Sequence, residues 1–170
     1  MKVVFTGGGT AGHVTPNLAL IESFQRDGVE CFYIGSKAGI EATLVSGLNL
    51  DFYGIASGKL RRYFDWQNFI DPVKIFFGFF QALWILLWRR PDVLFSKGGF
   101  VAVPVVIAAW SLRIPVVIHE SDLTPGLANR LSAPFCRRIC LNFEETAAHF
   151  AQRATRVTGT PLRAGLVQSD

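Results

Sequence analysis

Short apolar runs rich in β-branched residues alternate along the chain with longer stretches of helical periodicity. The pattern predicts strands at Lys2–Thr6, Glu30–Ile34, Leu50–Ile55, Asp92–Ser96, Pro115–His119, Arg138–Leu141 and Thr155–Val157. It predicts helices that begin near Thr15, Ala38, Asp71, Val101, Pro125 and Glu144. This alternation is typical of βαβ units. The expected fold class is therefore α/β, a Rossmann-like, doubly wound parallel sheet of about seven strands with helices on both faces.

Polar loops follow three of the predicted strands: GGGTAGH after the first, SKGGFVAVP after the fourth and HESDLTPGLANR after the fifth. In a doubly wound sheet, ligands bind outside the carboxyl ends of the strands. All three loops should therefore open onto one edge of the sheet and share one site.

The first loop has the G-x-G-x-x-G spacing within Gly7–Gly12, between a strand and a helix. Backbone amides at a helix start favour an anion. A dinucleotide site would also need an acidic residue after the second strand, and Gly35–Gly39 contains none, which disfavours NAD. Ser36 and Lys37 could accept a 2′-phosphate, so an NADP-binding oxidoreductase domain stays open as an alternative.

Histidine and carboxylate side chains add candidate chemistry at this edge. His13 follows the last glycine of the first loop and could be a general base, a ligand for phosphate or hydroxyl, or a helix cap. The pair Gly98–Gly99 either presents amides to a ligand or only makes a tight turn. Thr124-Pro125 reads as the start of a helix. This helix start does not explain Glu120, which could either bind a ligand or brace the loop.

Composition limits the partners. The chain has 170 residues and a net charge of +4, with no dense Lys/Arg run, so no nucleic-acid partner is expected. Its three cysteines show no paired or metal-binding spacing, which fits a reducing compartment and no metal site. We identify no signal peptide, and no window reaches roughly 18 to 20 apolar residues. The chain is expected to be cytoplasmic, either soluble or peripheral on a membrane.

Residues 74–90 read KIFFGFFQALWILLWRR, an almost uninterrupted apolar helix with basic ends. Its apolar part spans about 21 Å, which is shorter than a bilayer core. Basic and aromatic residues also precede it, in KLRRYFDW at 59–66. This pattern favours docking on an anionic membrane surface, although a buried core helix or a partner interface would also fit. The expected membrane residues are Ile75, Phe76, Phe79, Phe80, Trp84, Trp88, Arg89 and Arg90.

Six segments carry a resemblance that runs over the whole chain. In chain order they are GGGTAGHVTPNLAL, YIGSKAGIEATLV, SGKLRRYF, PDVLFSKGGFVAVP, IPVVIHESDLTPGLANR and TGTPLR. The chain resembles the N-terminal half of the bacterial peptidoglycan glycosyltransferases of the MurG family, and looks most like the Firmicute version. The resemblance implies transfer of N-acetylglucosamine (GlcNAc) from UDP-GlcNAc to undecaprenyl-linked lipid I, without a cofactor, at the cytoplasmic face of the cell membrane.

The resemblance also implies roles for individual residues. Gly7–Gly12 and Gly98–Gly99 would cradle the acceptor pyrophosphate. Thr10, Ala11 and Gly12 would also border the UDP-sugar. His13 would be the candidate base, Glu120 and Asn129 would line the catalytic cleft, and Arg163 would reach the donor nucleotide. This sequence departs from the family pattern at Ala11, Phe100 and Asp122, which leaves a donor contact at Asp122 in doubt.

Members of the family have two Rossmann-like domains in the GT-B arrangement. Residues 1–158 would form the acceptor-binding domain and 159–170 the start of the interdomain linker, with the donor-binding domain absent. We therefore expect the chain to be inactive or nearly so by itself, as a truncated form. The alternative is the membrane-docking subunit of a split, two-subunit transferase that recruits a donor-binding partner chain.

Overall fold

The computed structural model describes residues 1–58 and 67–161, and for residues 67–70 it describes only the backbone. Seven parallel strands form one sheet in the order β3-β2-β1-β4-β5-β6-β7. They are β1 Lys2–Thr6, β2 Glu30–Ser36, β3 Asp51–Ile55, β4 Val93–Ser96, β5 Val116–Glu120, β6 Arg138–Leu141 and β7 Thr155–Val157. The predicted fold class and all seven predicted strands are confirmed.

Five α-helices connect the strands: α1 Ala11–Arg26, α2 Glu41–Val45, α3 Gln67–Arg89, α4 Ala102–Ser111 and α5 Leu127–Ser132. Helices α1 and α3 each begin four residues before the predicted start. In α1 the reason is local: Thr10 is extended and ends the loop, so Gly12 and His13 already belong to the first turn. The helix predicted near Glu144 is a 3₁₀ segment, Glu144–Phe150, and another 3₁₀ turn follows α5 at Ala133–Phe135.

Both faces of the sheet are covered, which explains why its central strands are apolar throughout. Val3 and Phe5 of β1 point to the face covered by α1 and α2. Val4 of the same strand points to the face covered by α3 and α4. Ala82 and Leu86 attach α3 to this second core, and both are fully buried.

Helix α3 corrects one expectation. By length and composition its segment Asp71–Arg89 could cross a membrane, with a mean hydropathy of 1.3 over its most apolar window and only 22% of that window buried. The sequence analysis predicted that the apolar part was too short to cross a bilayer, because it counted only uninterrupted apolar residues. The helix continues beyond them, and Lys74 pairs with Asp71 at the start of the segment. Its packing on the sheet through Ala82 and Leu86 is that of a helix belonging to the domain.

Candidate functional site

The strand order reverses between β1 and β4, so the loops that follow these strands border a crevice at the carboxyl edge of the sheet. The two loops contact each other directly, because the Gly8 amide donates to the Gly98 carbonyl at 3.2 Å. A cavity of about 640 Å³ opens beside this contact. Its described lining comprises Gly8, Gly9, Thr10, His13, Ser36, Ala38, Gly39, Ile40, Glu41, Ser57, Gly58, Asp71, Lys74, Gly99, Phe100 and Val101.

The first loop delivers Thr10 and His13 to this cavity. Thr10 has an extended backbone and precedes α1, and its carbonyl accepts the His13 amide of the first turn at 3.1 Å. Ala11 and Gly12 occupy that exposed first turn and do not appear among the described lining residues. Of the predicted residues Gly7–Gly12 and His13, the structure thus brings Gly8, Gly9, Thr10 and His13 into the cavity wall.

His13 is oriented by the second loop. Its Nδ1 lies 3.1 Å from the carbonyl oxygen of Lys97. A carbonyl can only accept, so Nδ1 carries a proton, and in the neutral imidazole the lone pair is then on Nε2. Because the hydrogen bond leads to another loop, His13 does not cap its own helix. A half-buried imidazole with a basic nitrogen beside the cavity is the arrangement that a general base needs.

Glu41 is a site residue that the sequence analysis missed. It is fully buried, and its Oε1 accepts the Gly9 amide at 3.0 Å. Gly8 and Gly39 make room for this carboxylate, since a Cβ on either would lie within 1.6 Å of a carboxylate oxygen. Glu41 lies two residues beyond Gly35–Gly39, the segment where an acidic residue was expected for a dinucleotide site. The carboxylate contacts the glycine-rich loop itself, which further disfavours a dinucleotide there.

Lys74 supplies the one Lys or Arg side chain among the described lining residues. Its Nζ lies 3.4 Å from Asp71 Oδ1, and Asp71 is buried. The sequence analysis assigned Lys74 only to the basic end of the apolar helix. A partly exposed ammonium at the wall of a glycine-lined cavity can also attract a phosphate group.

The second loop needs glycine at two consecutive positions. Gly98 and Gly99 have φ values of +89° and +85°, in the left-handed region. Gly99 lines the cavity, whereas Gly98 is buried beneath it and receives the Gly8 hydrogen bond. The pair therefore makes the tight turn, and only its second member faces the cavity.

Glu120 braces the third loop. It is 4% exposed, and its two carboxylate oxygens accept from four donors within 3.0 Å. Those donors are the amides of Ser121, Asp122 and Gly126 and the side-chain amide of Asn129. Glu120 does not appear in the described cavity lining. Of the two roles left open by the sequence, this geometry favours bracing over catalysis.

Asn129 also supports the loops from below and does not line the cavity. Its amide donates to the His119 carbonyl at 3.1 Å. Its Oδ1 is close to Gly98, where a Cβ would lie 2.9 Å from that oxygen. The predicted helix start at Thr124-Pro125 is wrong: Gly126 precedes the first turn of α5, because its amide is held by Glu120.

We expect Glu120→Ala to lower the free energy of unfolding by about 2 to 4 kcal/mol, because four donors in a half-buried loop lose their acceptor together. Urea unfolding followed by tryptophan fluorescence measures this. Glu145→Ala, which removes an exposed carboxylate, is the matched control and should change stability by less than about 0.5 kcal/mol. Equal stability of the two variants would contradict the bracing role.

Helix α3 presents an apolar face to solvent. Its exposed side chains recur at a spacing of three or four residues and are Val73, Phe76, Phe77, Phe80, Trp84, Leu87 and Trp88. Trp84 is 75% exposed. Four of the predicted membrane residues, Phe76, Phe80, Trp84 and Trp88, belong to this face.

Three other predicted membrane residues are placed differently. Phe79 is half-buried and packs against the core, and Ile75 is half-buried too. Arg89 binds the carboxylates of Asp51 at 2.6 Å and Glu30 at 3.0 Å, so its charge is already paired. The eighth, Arg90, is exposed. Arg163 and the basic segment at 59–66 lie outside the described residues.

A seven-stranded parallel sheet with a glycine-lined crevice at its switch point defines a Rossmann-like α/β domain. The profile of the glycosyltransferase family 28 N-terminal domain matches residues 3–141, so the chain belongs to this family.

Curated relatives match along nearly the whole chain. A UDP-N-acetylglucosamine–N-acetylmuramyl-(pentapeptide) pyrophosphoryl-undecaprenol N-acetylglucosamine transferase of Clostridium perfringens is 54% identical over 99% of this chain and 47% of the relative. The enzyme of the same name from Legionella pneumophila is 55% identical over 98% of this chain and 46% of the relative. Since these identities are nearly equal, they do not single out a Firmicute version.

Among solved structures, MurG of Acinetobacter baumannii superposes with a TM-score of 0.80 at 28% identity. The superposition covers 98% of this chain and 47% of that chain. The chain therefore spans about half the length of the curated relatives and of the solved structure that it matches. The resemblance seen in the sequence is confirmed.

Proposed function

We propose that this chain is the acceptor-binding, membrane-associating half of an inverting transferase that moves GlcNAc from UDP-GlcNAc to undecaprenyl-pyrophosphoryl-MurNAc-pentapeptide. The observation that carries the proposal is the cavity at the switch point, where glycines of the first two loops and His13 line the same space. The end-to-end match to transferases named for this reaction supports the choice of substrates.

In the proposed reaction, the residues on different walls of the cavity have different roles. The acceptor pyrophosphate lies along the glycine loops, where Lys74 adds a positive charge. His13 Nε2 takes the proton from the acceptor hydroxyl as its oxygen attacks C1 of the donor sugar. The bond between C1 and the phosphate oxygen breaks, and UDP leaves with the electron pair. Ala11 and Gly12, in the first turn of α1, are exposed, and their amides at the helix start would bind the donor phosphates.

In this proposal, most contacts to the donor come from a second domain and not from the sheet domain described above. Residues 1–158 form the acceptor domain. Residues 159–170, which include Arg163 with its predicted nucleotide contact, begin the connection to a donor domain. Transfer requires donor and acceptor to be held in line within one cleft. The chain alone therefore binds acceptor but turns over poorly.

A chimera tests this function. The chain is joined to the part of the Clostridium perfringens relative that lies beyond the match, and transfer of radiolabelled GlcNAc to lipid I is measured. We expect transfer by the chimera and little or none by the chain alone. Adding the same second half as a separate polypeptide shows whether a split enzyme also works. A folded chimera that binds UDP-GlcNAc but transfers nothing would contradict the proposal, as would rapid transfer by the chain alone.

Membrane association is the second part of the proposal. The exposed face of α3 carries four phenylalanine or tryptophan residues from the predicted set, and the core holds the opposite side of the helix. A helix with one buried and one exposed apolar face suits peripheral binding in the plane of the interface. Arg90 at the helix end and the net charge of +4 favour an anionic surface. The acceptor lipid would enter the cavity from this side, since Asp71 and Lys74 of the same helix line it.

The double variant Phe80→Ser/Trp84→Ser is expected to lower binding to anionic vesicles about tenfold or more, because two large apolar side chains no longer enter the interface. Cosedimentation with vesicles of phosphatidylglycerol and phosphatidylcholine measures the partition. Leu44→Ser is the control, because Leu44 is also exposed but lies on α2, at the opposite face of the sheet. Unchanged binding of the double variant would rule out α3 as the docking surface.

A further inference from the structure

Lys97 carries a buried charge that the proposed reaction does not use. It lies between β4 and the glycines of the second loop and is 2% exposed. Its Nζ lies 2.8 Å from His119 Nδ1 and also donates to the hydroxyl of Ser121. The ammonium thus joins the second loop to the third.

Charges around this ammonium compensate for its burial only in part. Burial lowers the pKa of Lys97, while the nearby carboxylates of Glu120 and Asp122 act to raise it. Burial and the Lys97 charge lower the pKa of His119, against weaker opposing effects of Glu120 and the Gly159 carbonyl. His119 is therefore neutral at pH 7.

The tautomer of His119 follows from its two partners. Nδ1 accepts from the Lys97 ammonium, so the ring proton is on Nε2. Nε2 lies 2.9 Å from the Gly159 carbonyl and donates to it. Gly159 lies just after β7, where its amide donates to Leu141. It is the first residue of the segment predicted to lead to the second domain.

Lys97 therefore holds two histidines of opposite tautomer. Its backbone carbonyl accepts from Nδ1 of His13, and its ammonium donates to Nδ1 of His119. The first contact orients the candidate base in the cavity, and the second leads through His119 to Gly159. We propose that Lys97 is a positioning residue that fixes the place of Gly159 relative to His13. This inference rests on the proposed function for its catalytic meaning, but its geometry can be tested without catalysis.

The test reads the histidine tautomers by long-range ¹H–¹⁵N NMR of the full chain at pH 7.5. The three histidines are assigned from single His→Gln variants. We expect His119 with its proton on Nε2 and His13 with its proton on Nδ1. Either histidine in the other tautomer, or His119 as an imidazolium, would overturn the proposal with no variant needed.

Lys97→Met tests the cause. It keeps an unbranched side chain but removes the charge, so the pKa of His119 should rise towards its ordinary value and His119 should become a mixture of tautomers. His13, whose partner is the backbone carbonyl of residue 97, should keep its tautomer. Hydrogen exchange of the Gly159 amide should accelerate at least tenfold. Lys97→Arg should restore the tautomer of His119 at least in part, and Lys37→Met, at an exposed lysine, should change nothing. A His119 tautomer and a Gly159 exchange rate that stay as in the wild type in Lys97→Met would overturn the positioning role.

The chimera separates this inference from the proposed function. In an active chimera, Lys97→Met should lower kcat about tenfold or more while the KM for UDP-GlcNAc changes less than threefold, since misplacement of reacting groups acts on the rate. An inactive wild-type chimera with the expected tautomers would leave the positioning role of Lys97 standing and overturn only the proposed reaction. Normal kcat in Lys97→Met, despite altered tautomers, would show that its contacts do not serve catalysis.

Discussion

Gly99→Ala should lower the free energy of unfolding by about 3 kcal/mol or more and abolish acceptor binding. A Cβ at this position would lie 2.1 Å from the carbonyl oxygen of Gly8 and 2.9 Å from its amide nitrogen. Those atoms belong to the backbone and cannot turn aside as a flexible side chain could. The hydrogen bond between Gly8 and Gly98 runs beside the contact, so the methyl group would force apart the two loops that form the cavity.

The left-handed backbone of Gly99 adds strain of its own, and a second variant separates this strain from the clash. Gly28 has a φ of +74°, close to the +85° of Gly99, but a Cβ there would meet nothing within 4 Å. Gly28→Ala should therefore cost only about 1 to 2 kcal/mol, as expected from the backbone conformation alone. Gly28 lies in the turn after α1, away from the cavity, so this control should leave acceptor binding intact.

Urea unfolding of both variants, together with binding of a lipid-linked pyrophosphate acceptor, provides the measurements. A stability loss in Gly99→Ala within about 0.5 kcal/mol of that in Gly28→Ala would mean that the loops relax without cost. Full acceptor binding by Gly99→Ala would contradict the placement of the acceptor along these loops.

The central strands were predictable because each is a short apolar run that is bounded by polar residues and mostly buried between the two helical layers. The starts of the helices were less predictable, because they depend on single hydrogen bonds. The start of α5 is set by the Glu120 carboxylate, which lies six residues before Gly126 and holds its amide. No periodicity in HESDLTPGLANR reveals that contact, and Thr124-Pro125 offers a more familiar helix start.

The residues missed at the site share one property: their contacts join segments far apart in the chain. Glu41 reaches the amide of Gly9 only because α2 packs beside the first loop. Lys97 becomes buried only when the loop after β5 covers it. In the sequence, Glu41 resembles an ordinary acidic residue at a helix start and Lys97 an ordinary loop lysine. The reverse error occurred at Arg89, which the sequence placed on the membrane face and the fold pairs with two carboxylates.

His13→Ala, made in the active chimera, is expected to lower the rate of GlcNAc transfer by about 10² to 10⁴-fold, the usual contribution of a general base. This corresponds to about 3 to 5 kcal/mol of transition-state stabilisation. Affinity for UDP-GlcNAc should change less than threefold, because the imidazole faces the acceptor cavity and its one described hydrogen bond goes to Lys97. Transfer kinetics give the rate of GlcNAc transfer, and calorimetric titration gives the affinity for UDP-GlcNAc.

Two further variants distinguish proton transfer from packing. His13→Gln keeps an amide donor for the Lys97 carbonyl but has no basic nitrogen, so it should preserve stability and still lose most of the rate. His149→Ala removes an exposed histidine of the second 3₁₀ segment, outside the described cavity lining, and should leave rate and binding unchanged. If His13→Gln retained most of the wild-type rate, the imidazole would serve only to join the first two loops. If His13→Ala lost donor affinity and rate in equal measure, its role would be structural, since a base acts only once both substrates are bound.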